Sequence, residues 1–230
     1  MQENQNRPDL SLFLASSAHD MKNSVGMLSG TLENLLANTS DKLAPAYQQM
    51  AHMLYETRRL NNNLIQLLAL YKVDGAAYPF DPQALSAAQF LEEIVAYHQV
   101  LFDSKNIRFE SDCAPDLIWC FDEDLVRGVL SHALNNAIRY SRDQIHLRIN
   151  VRDDFLEIRV EDNGAGYPAT MLEAGVSAAS GIDFTSGSTG LGLYFSNEVA
   201  KMHRHRGRVG GVAMENSGIA GGGCFILRLP

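Results

Sequence analysis

No stretch of this 230-residue chain reaches the roughly 18 consecutive apolar residues of a membrane-crossing helix, so direct membrane insertion is not expected. The N-terminus lacks the cationic-then-apolar pattern of a secretory leader. Sensing across a membrane would therefore fall to another chain. Cysteine is scarce. Cys113, Cys120 and Cys224 are odd in number and form no C-x-x-C pair, which argues against a disulfide framework and a zinc site and suits a reducing cytoplasm. Proline is also scarce, at seven residues, and the 46% hydrophobic and 20% charged content is that of a globular protein. Disorder is expected only in the polar stretch Met1 to Pro8. Net positive charge is absent: the formal charge is −8, so a nucleic-acid partner lacks its electrostatic footprint. Lys201, Arg204, Arg206 and Arg208 are too few to reverse that, and they suit a helix C-terminus.

What is present divides the chain in two. From Leu10 onward Leu14, Ala18, Met21, Val25, Leu28, Leu32 and Leu35 alternate in steps of four and three, a heptad seam. Asn38, Thr39, Ser40 and Asp41 break it with turn and cap chemistry. A second seam runs through Tyr47, Met50, Leu54, Thr57, Asn61, Leu64, Leu68 and Tyr71, widened by Met53, Leu60 and Leu67. Two long helices joined by a short loop form a hairpin whose apolar stripes are too wide for one partner. Pairing two hairpins into a four-helix bundle would bury both, so a homodimer is expected. The other reading packs the hairpin on its own C-terminal domain.

After Asp74 the pattern changes. Gly75 to Pro82 reads as a linker. A helix is expected at Ala87 to Ser104, extended runs at Ile107 to Cys113 and Leu117 to Phe121, and a helix at Asp122 to Tyr140. Strands follow at Ile145 to Val151 and Phe155 to Val160 around the turn Arg152-Asp153-Asp154. A glycine-rich loop leads to a helix ending near His203, and strands near Arg208 to Met214 and Cys224 to Leu229 close the chain. Helices beside a mixed, mostly antiparallel sheet give a two-layer α+β domain. The expected organisation is a tail over 1–8, a helical hairpin over 9–74, a linker over 75–82 and a domain over 83–230.

Three clusters in the second half suit one kind of ligand. On the helix ending at Tyr140, His132, Asn135, Asn136 and Arg139 recur at three-to-four spacing. An uncharged oxygen donor beside an arginine suits magnesium and the phosphates it bridges. Asp162-Asn163-Gly164-Ala165-Gly166 follows a strand; a carboxylate there can accept from an exocyclic amine such as that of adenine, and glycines permit close approach. Gly187-Ser188-Thr189-Gly190-Leu191-Gly192-Leu193 opens a helix, presenting free N–H groups to phosphate. That run has neither P-loop nor dinucleotide-binding spacing.

In order and spacing, "HALNNAIRYS" (132–141), "EDNGAG" (161–166) and "GSTGLGLYFSNEVAKMH" (187–203) resemble the N, G1 and G2 boxes of the histidine kinase ATP-binding domain. "GGGCFILRLP" (221–230) is similar to that family's last strand, and "SSAHDMKNSVGML" (16–28) to its H box. The resemblance spans about Leu10 to Pro230. It implies a dimerisation and histidine phosphotransfer hairpin followed by an α/β sandwich of the Bergerat type that uses ATP and Mg2+. On that basis Asn136 would hold the magnesium, Arg139 would lie near the phosphates and Tyr140 beside the nucleotide. Asp162 would take the adenine amine, Gly164 and Gly166 would shape the pocket, and Thr189, Gly190 and Gly192 would line the phosphates. Two departures stand out: His132 replaces an earlier Asn, and Tyr167 to Ser186 contains no Phe-x-Pro-Phe, only Phe184.

The heptad register tests the acceptor independently. If Ala18, Val25 and Leu32 fill one core position and Leu14, Met21 and Leu28 the other, His19 points off the seam toward solvent, with Asn23 one turn away. A neutral imidazole can attack in line, and Asp20 can orient it or take its proton. The Asp-x-x-Asn spacing of Asp20 and Asn23 resembles the family's phosphatase-competent motif. His52, His98, His146, His203 and His205 read as ordinary surface or half-buried residues. The function implied is autophosphorylation on His19 and transfer to the receiver domain of a response regulator. Competing readings are a phosphotransfer dimer with a degenerate domain, and a serine kinase or ATPase on the same nucleotide fold.

Overall fold

The structure, a computed structural model, describes residues 10–39, 44–74, 78–174 and 191–230. The chain divides into two compact units, Met1–Pro79 and Phe80–Pro230.

The first unit is a packed pair of helices, α1 (Leu10–Ala37) and α2 (Pro45–Asp74). Only part of each expected seam is covered. On α1, Ala18, Ser29, Leu32 and Leu36 are buried and Val25 is half-buried, whereas Met21, Leu28 and Leu35 stand exposed, Leu28 at 59%. On α2, Tyr47, Ala51, Leu54 and Ala69 are buried, but Met53, Leu60 and Leu67 are exposed. A helix presents a curved apolar stripe, and one neighbour covers only the arc facing it. The side chain of Leu14 and the turn residues Ser40 and Asp41 lie outside the described residues. Beneath the hairpin surface Arg58, 3% exposed, donates to Glu33 at 2.8 Å. Asn61 is half-buried rather than enclosed.

In the second unit β1 (Gln83–Ser86) leads into α3 (Ala87–Ser104), capped by Ser86, whose hydroxyl accepts from the Gln89 amide at 3.3 Å. β2 (Arg108–Cys113) and β3 (Ile118–Phe121) follow, then α4 (Glu123–Tyr140). Asp122 caps α4 by accepting from the Leu125 amide at 3.0 Å. The chain continues through β4 (Gln144–Arg152), β5 (Phe155–Asp162), α5 (Ala169–Ala174) and α6 (Leu191–Met202). It closes with β6 (Arg204–His205), β7 (Arg208–Val209), β8 (Gly211–Glu215) and β9 (Cys224–Leu229).

Five strands form one sheet in the order β2-β4-β5-β9-β8, with β2–β4 parallel and the other pairs antiparallel. The inward row is apolar across the sheet: Ile149 lies opposite Ile158, and Ile158 opposite Leu227. These residues and Leu147, Leu156 and Val160 are buried, as are Leu125, Val129, Leu130, Leu134 and Ile138 of α4. The helices thus cover one face, as the period-two strands and the 3.6-period helix require. On the other face Glu157 accepts from Arg228 at 2.8 Å, and Glu161 from Arg159 at 2.9 Å.

Three details depart from expectation. β1 pairs antiparallel with β3 as a separate two-stranded ribbon, so the run around Ile118 never joins the main sheet. The run expected near Arg208 to Met214 is interrupted at Gly210, whose amide donates to His203 O at 2.9 Å. β7 therefore pairs with β6, and β8 with β9. Finally His98 and His203 are fully buried, not half-buried. His203 sits just past α6, bonding Val199 O through Nδ1 at 2.8 Å and accepting the Asp122 amide on Nε2 at 3.0 Å.

Candidate functional site

On α1, His19 follows buried Ala18 and is turned outward, its side chain 60% exposed. Its Nδ1 lies 3.3 Å from Asn23 Nδ2 and 4.0 Å from Asp20 Oδ1. One helical turn thus gathers an accessible imidazole, an amide and a carboxylate.

The second unit builds its site where β5 ends. Asp162 is 8% exposed, and its Oδ1 accepts from the Gly164 amide at 2.7 Å and the Gly223 amide at 3.3 Å. Oδ2 accepts no hydrogen bond among the described residues. Burial pushes the carboxyl's pKa up, and the two backbone N–H groups pull back against that. A buried carboxylate with one open oxygen is suited to a ligand donor.

The glycines around it are matters of close approach. A Cβ on Gly164 would collide with Tyr140 O at the end of α4, and one on Gly223 would lie 2.7 Å from Asp162 Oδ2. Gly166 has φ of 77°, which strains any L side chain. Behind it Asn216 clamps Tyr167, its Oδ1 accepting the Tyr167 amide at 2.7 Å and its Nδ2 donating to Tyr167 O at 3.0 Å. Burial, with the Asp162 charge, raises the Tyr167 phenol's pKa.

On α4, Asn136 Nδ2 lies 3.1 Å from His132 Nε2. Burial pushes the His132 imidazole's pKa down to about 4, so it is neutral at physiological pH. The ring abuts Gly192 in the first turn of α6, where a Cβ would collide with it. Asn136 and Gly192, distant in sequence, are thereby joined through one side chain. Arg139 and Tyr140, both about one turn beyond Asn136 and both exposed, stack with the guanidinium carbon 5.2 Å from the ring centroid. Asn135 is instead buried, away from the face it was expected to share. Gly187, Ser188, Thr189, Gly190 and Phe184 lie outside the described residues.

Sequence reasoning missed Asn163 as an organiser: its Oδ1 accepts the amides of Arg142, Asp143 and Gln144 at 3.0, 3.2 and 3.1 Å. It also missed Gly223 and Asn216. The triple glycine before β9 could have signalled the first. Nothing local signals the second, because its partner is 49 residues away.

Two concavities lie elsewhere in this unit. One of about 780 Å³ overlies the outer sheet face, where Glu157 and Glu161 are already paired with arginines. Another of about 670 Å³ lies between Trp119 and the β6–β7 hairpin.

Residues 121–230 match the family described as "Histidine kinase-, DNA gyrase B-, and HSP90-like ATPase". The phosphate regulon sensor protein PhoR of Pseudomonas aeruginosa is 28% identical over 211 residues, 89% of this chain and 48% of that protein. The sensor protein kinase WalK of Staphylococcus aureus is 25% identical over 229 residues, 95% of this chain and 53% of that protein. The chain spans about half the length of these curated relatives. Among solved structures, the catalytic domain of the histidine kinase ThkA superposes with a TM-score of 0.54 at 21% identity, covering 65% of this chain and 95% of that one. Full-length ShkA, solved in complex with AMPPNP, gives 0.62 at 19% identity, covering 94% of this chain and 45% of that one. These last two likenesses are of fold. Among the described residues no helix is long and apolar enough to cross a membrane.

Proposed function

We propose that this chain, a sensor histidine kinase catalytic core by its ATPase-family domain and its kinase relatives, binds ATP in its second unit and phosphorylates its own His19. The observation that carries the reading is Asp162, a buried carboxylate with one oxygen tied to two backbone amides and the other open. An adenine amine would donate to that open oxygen, with Gly164 and Gly166 letting the ring approach the backbone and Tyr140 beside it. Asn136 and Arg139 would meet the phosphates from α4, and Gly192 from the first turn of α6, with Thr189 and Gly190 just before it in sequence.

The donor set fits magnesium in a limited way. Asn136 offers one neutral oxygen, and a small hard cation that keeps waters and phosphate oxygens as its other ligands needs no more from the protein. When bound, the ion would neutralise charge on the phosphates.

In the transfer, an imidazole nitrogen of His19 forms a bond to the γ-phosphorus as the bond to the bridging oxygen breaks, and ADP leaves. Asp20 takes or orients the ring proton. The phosphoryl group then passes to an aspartate on the receiver domain of a response regulator, freeing the imidazole. Asn23, beside the ring, would position water for the reverse task, hydrolysis of the regulator's acyl phosphate.

The hairpin over 9–74 would serve dimerisation and phosphotransfer, and 83–230 catalysis. Met21, Leu28 and Leu35 on α1 and Met53, Leu60 and Leu67 on α2 form two exposed rows at seven-residue spacing. A second copy, making a four-helix bundle, would bury both.

Incubation with γ-labelled ATP and magnesium tests this. Acid-labile label is expected on the parent and none on His19→Ala. Label kept by His19→Ala, or no nucleotide binding by the parent, would overturn it.

A further inference from the structure

We infer that His132 is a positioning residue: lodged between Asn136 and Gly192, it fixes which end of the Asn136 amide faces the phosphates. The inference rests on the ATP reading above and concerns how that site is set.

An asparagine side chain has an accepting and a donating end of nearly the same shape. Only the oxygen can hold a cation; turned over, the amide would point two N–H groups at it. Among the described residues the one side chain that bonds the Asn136 amide is His132, whose Nε2 lies 3.1 Å from Nδ2. As the amide stands, Nδ2 donates and Nε2 accepts, which puts the ring proton on Nδ1; an imidazole in that tautomer keeps the amide's NH2 toward itself and its oxygen away.

The imidazole is itself held. It abuts Gly192 so closely that any Cβ there would overlap the ring. Gly192 lies in the first turn of α6, and its carbonyl accepts the Ser196 hydroxyl at 2.7 Å, a buried bond that pins this turn. The metal-binding amide on α4 and the phosphate-facing turn of α6 are therefore set by one side chain. Loss of the glycine would push the imidazole off the amide; loss of the imidazole would leave the amide free to turn.

Two measurements on the full chain test this. The first is the affinity for a non-hydrolysable ATP analogue in magnesium and in EDTA. The parent is expected to bind about tenfold more tightly with magnesium. His132→Leu, similar in bulk but with no acceptor, should lose most of that gap. His132→Gln, whose side-chain oxygen reaches the same place, should keep it. An unchanged gap in His132→Leu overturns the positioning role while leaving the ATP reading intact. A parent with no gap overturns the role too, and a parent that binds no nucleotide overturns both.

The second needs no nucleotide. Gly192→Ala is expected to lower Tm, and adding His132→Ala should recover most of the loss because the overlapping ring is gone. Simple addition of the two losses would show that His132 and Gly192 do not contact each other and would overturn the wedge.

Discussion

Asn163 grips Asp143 from both sides: its Nδ2 donates to Asp143 Oδ1 at 2.7 Å, and its Oδ1 accepts the Asp143 amide at 3.2 Å. The same oxygen accepts the amides of Arg142 and Gln144, so one side chain closes the connection from α4 to β4. Asn163→Ala leaves three backbone donors without their acceptor. A loss of about 2–3 kcal/mol is expected, since part of that connection is wet and water replaces some of the bonds. Urea unfolding measures it, and a change below about 0.5 kcal/mol would remove Asn163 from this role.

Asp162 should oppose stability in the absence of nucleotide. Burial raises its folded-state pKa, so the folded chain holds that proton more tightly than the unfolded one. Its contribution is therefore most favourable below the unfolded carboxyl's pKa and is lost as pH rises through the folded one. Asp162→Asn keeps an oxygen for the Gly164 and Gly223 amides but carries no charge. Without nucleotide, the variant is expected to melt above the parent at pH 7, with the difference shrinking toward about pH 4. Nucleotide binding should fall sharply at the same time. A melting difference that does not vary with pH would contradict the account.

The two exposed rows on the hairpin predict a dimer. Light scattering should give twice the mass of the 230-residue chain. Leu28→Glu or Leu60→Glu should shift it to monomer by burying a carboxylate without a partner. A parent that is monomeric across the accessible concentration range would refute the bundle.

Asn23→Ala separates the two chemistries assigned to the acceptor helix. Phosphorylation of His19 should persist within a few-fold of the parent, because the attacking imidazole and Asp20 remain. Dephosphorylation of a phosphorylated receiver should drop at least about tenfold. Equal loss of both activities would mean that Asn23 only positions His19.

Much of the candidate site's layout was legible because its signals are local. The helical segment from Asp122 to Tyr140 places Asn136 and Arg139 by period alone, and Asp162 falls at the end of an alternating strand. His19 off the seam follows from counting heptads, and its exposure agrees. The ion pair of buried Arg58 with half-exposed Glu33 was not legible, since an arginine 3% exposed violates the pattern that placed its neighbours. Nor were the burial of His203, which depends on Asp122 81 residues away, and the separate β1–β3 ribbon.

By itself the sequence determined most of the order of helices and strands, though not β1, α5 or β6, and the kinds of side chain available to a nucleotide. Periodicity and residue chemistry act over a few neighbouring positions, so both can be read along the chain. Tertiary structure alone decided that Gly192 meets His132, that Gly223 shares Asp162 with Gly164, and that Asn216 braces the turn at Gly166. Such contacts arise where layers close against one another, and their distances follow from how the sheet and helices pack.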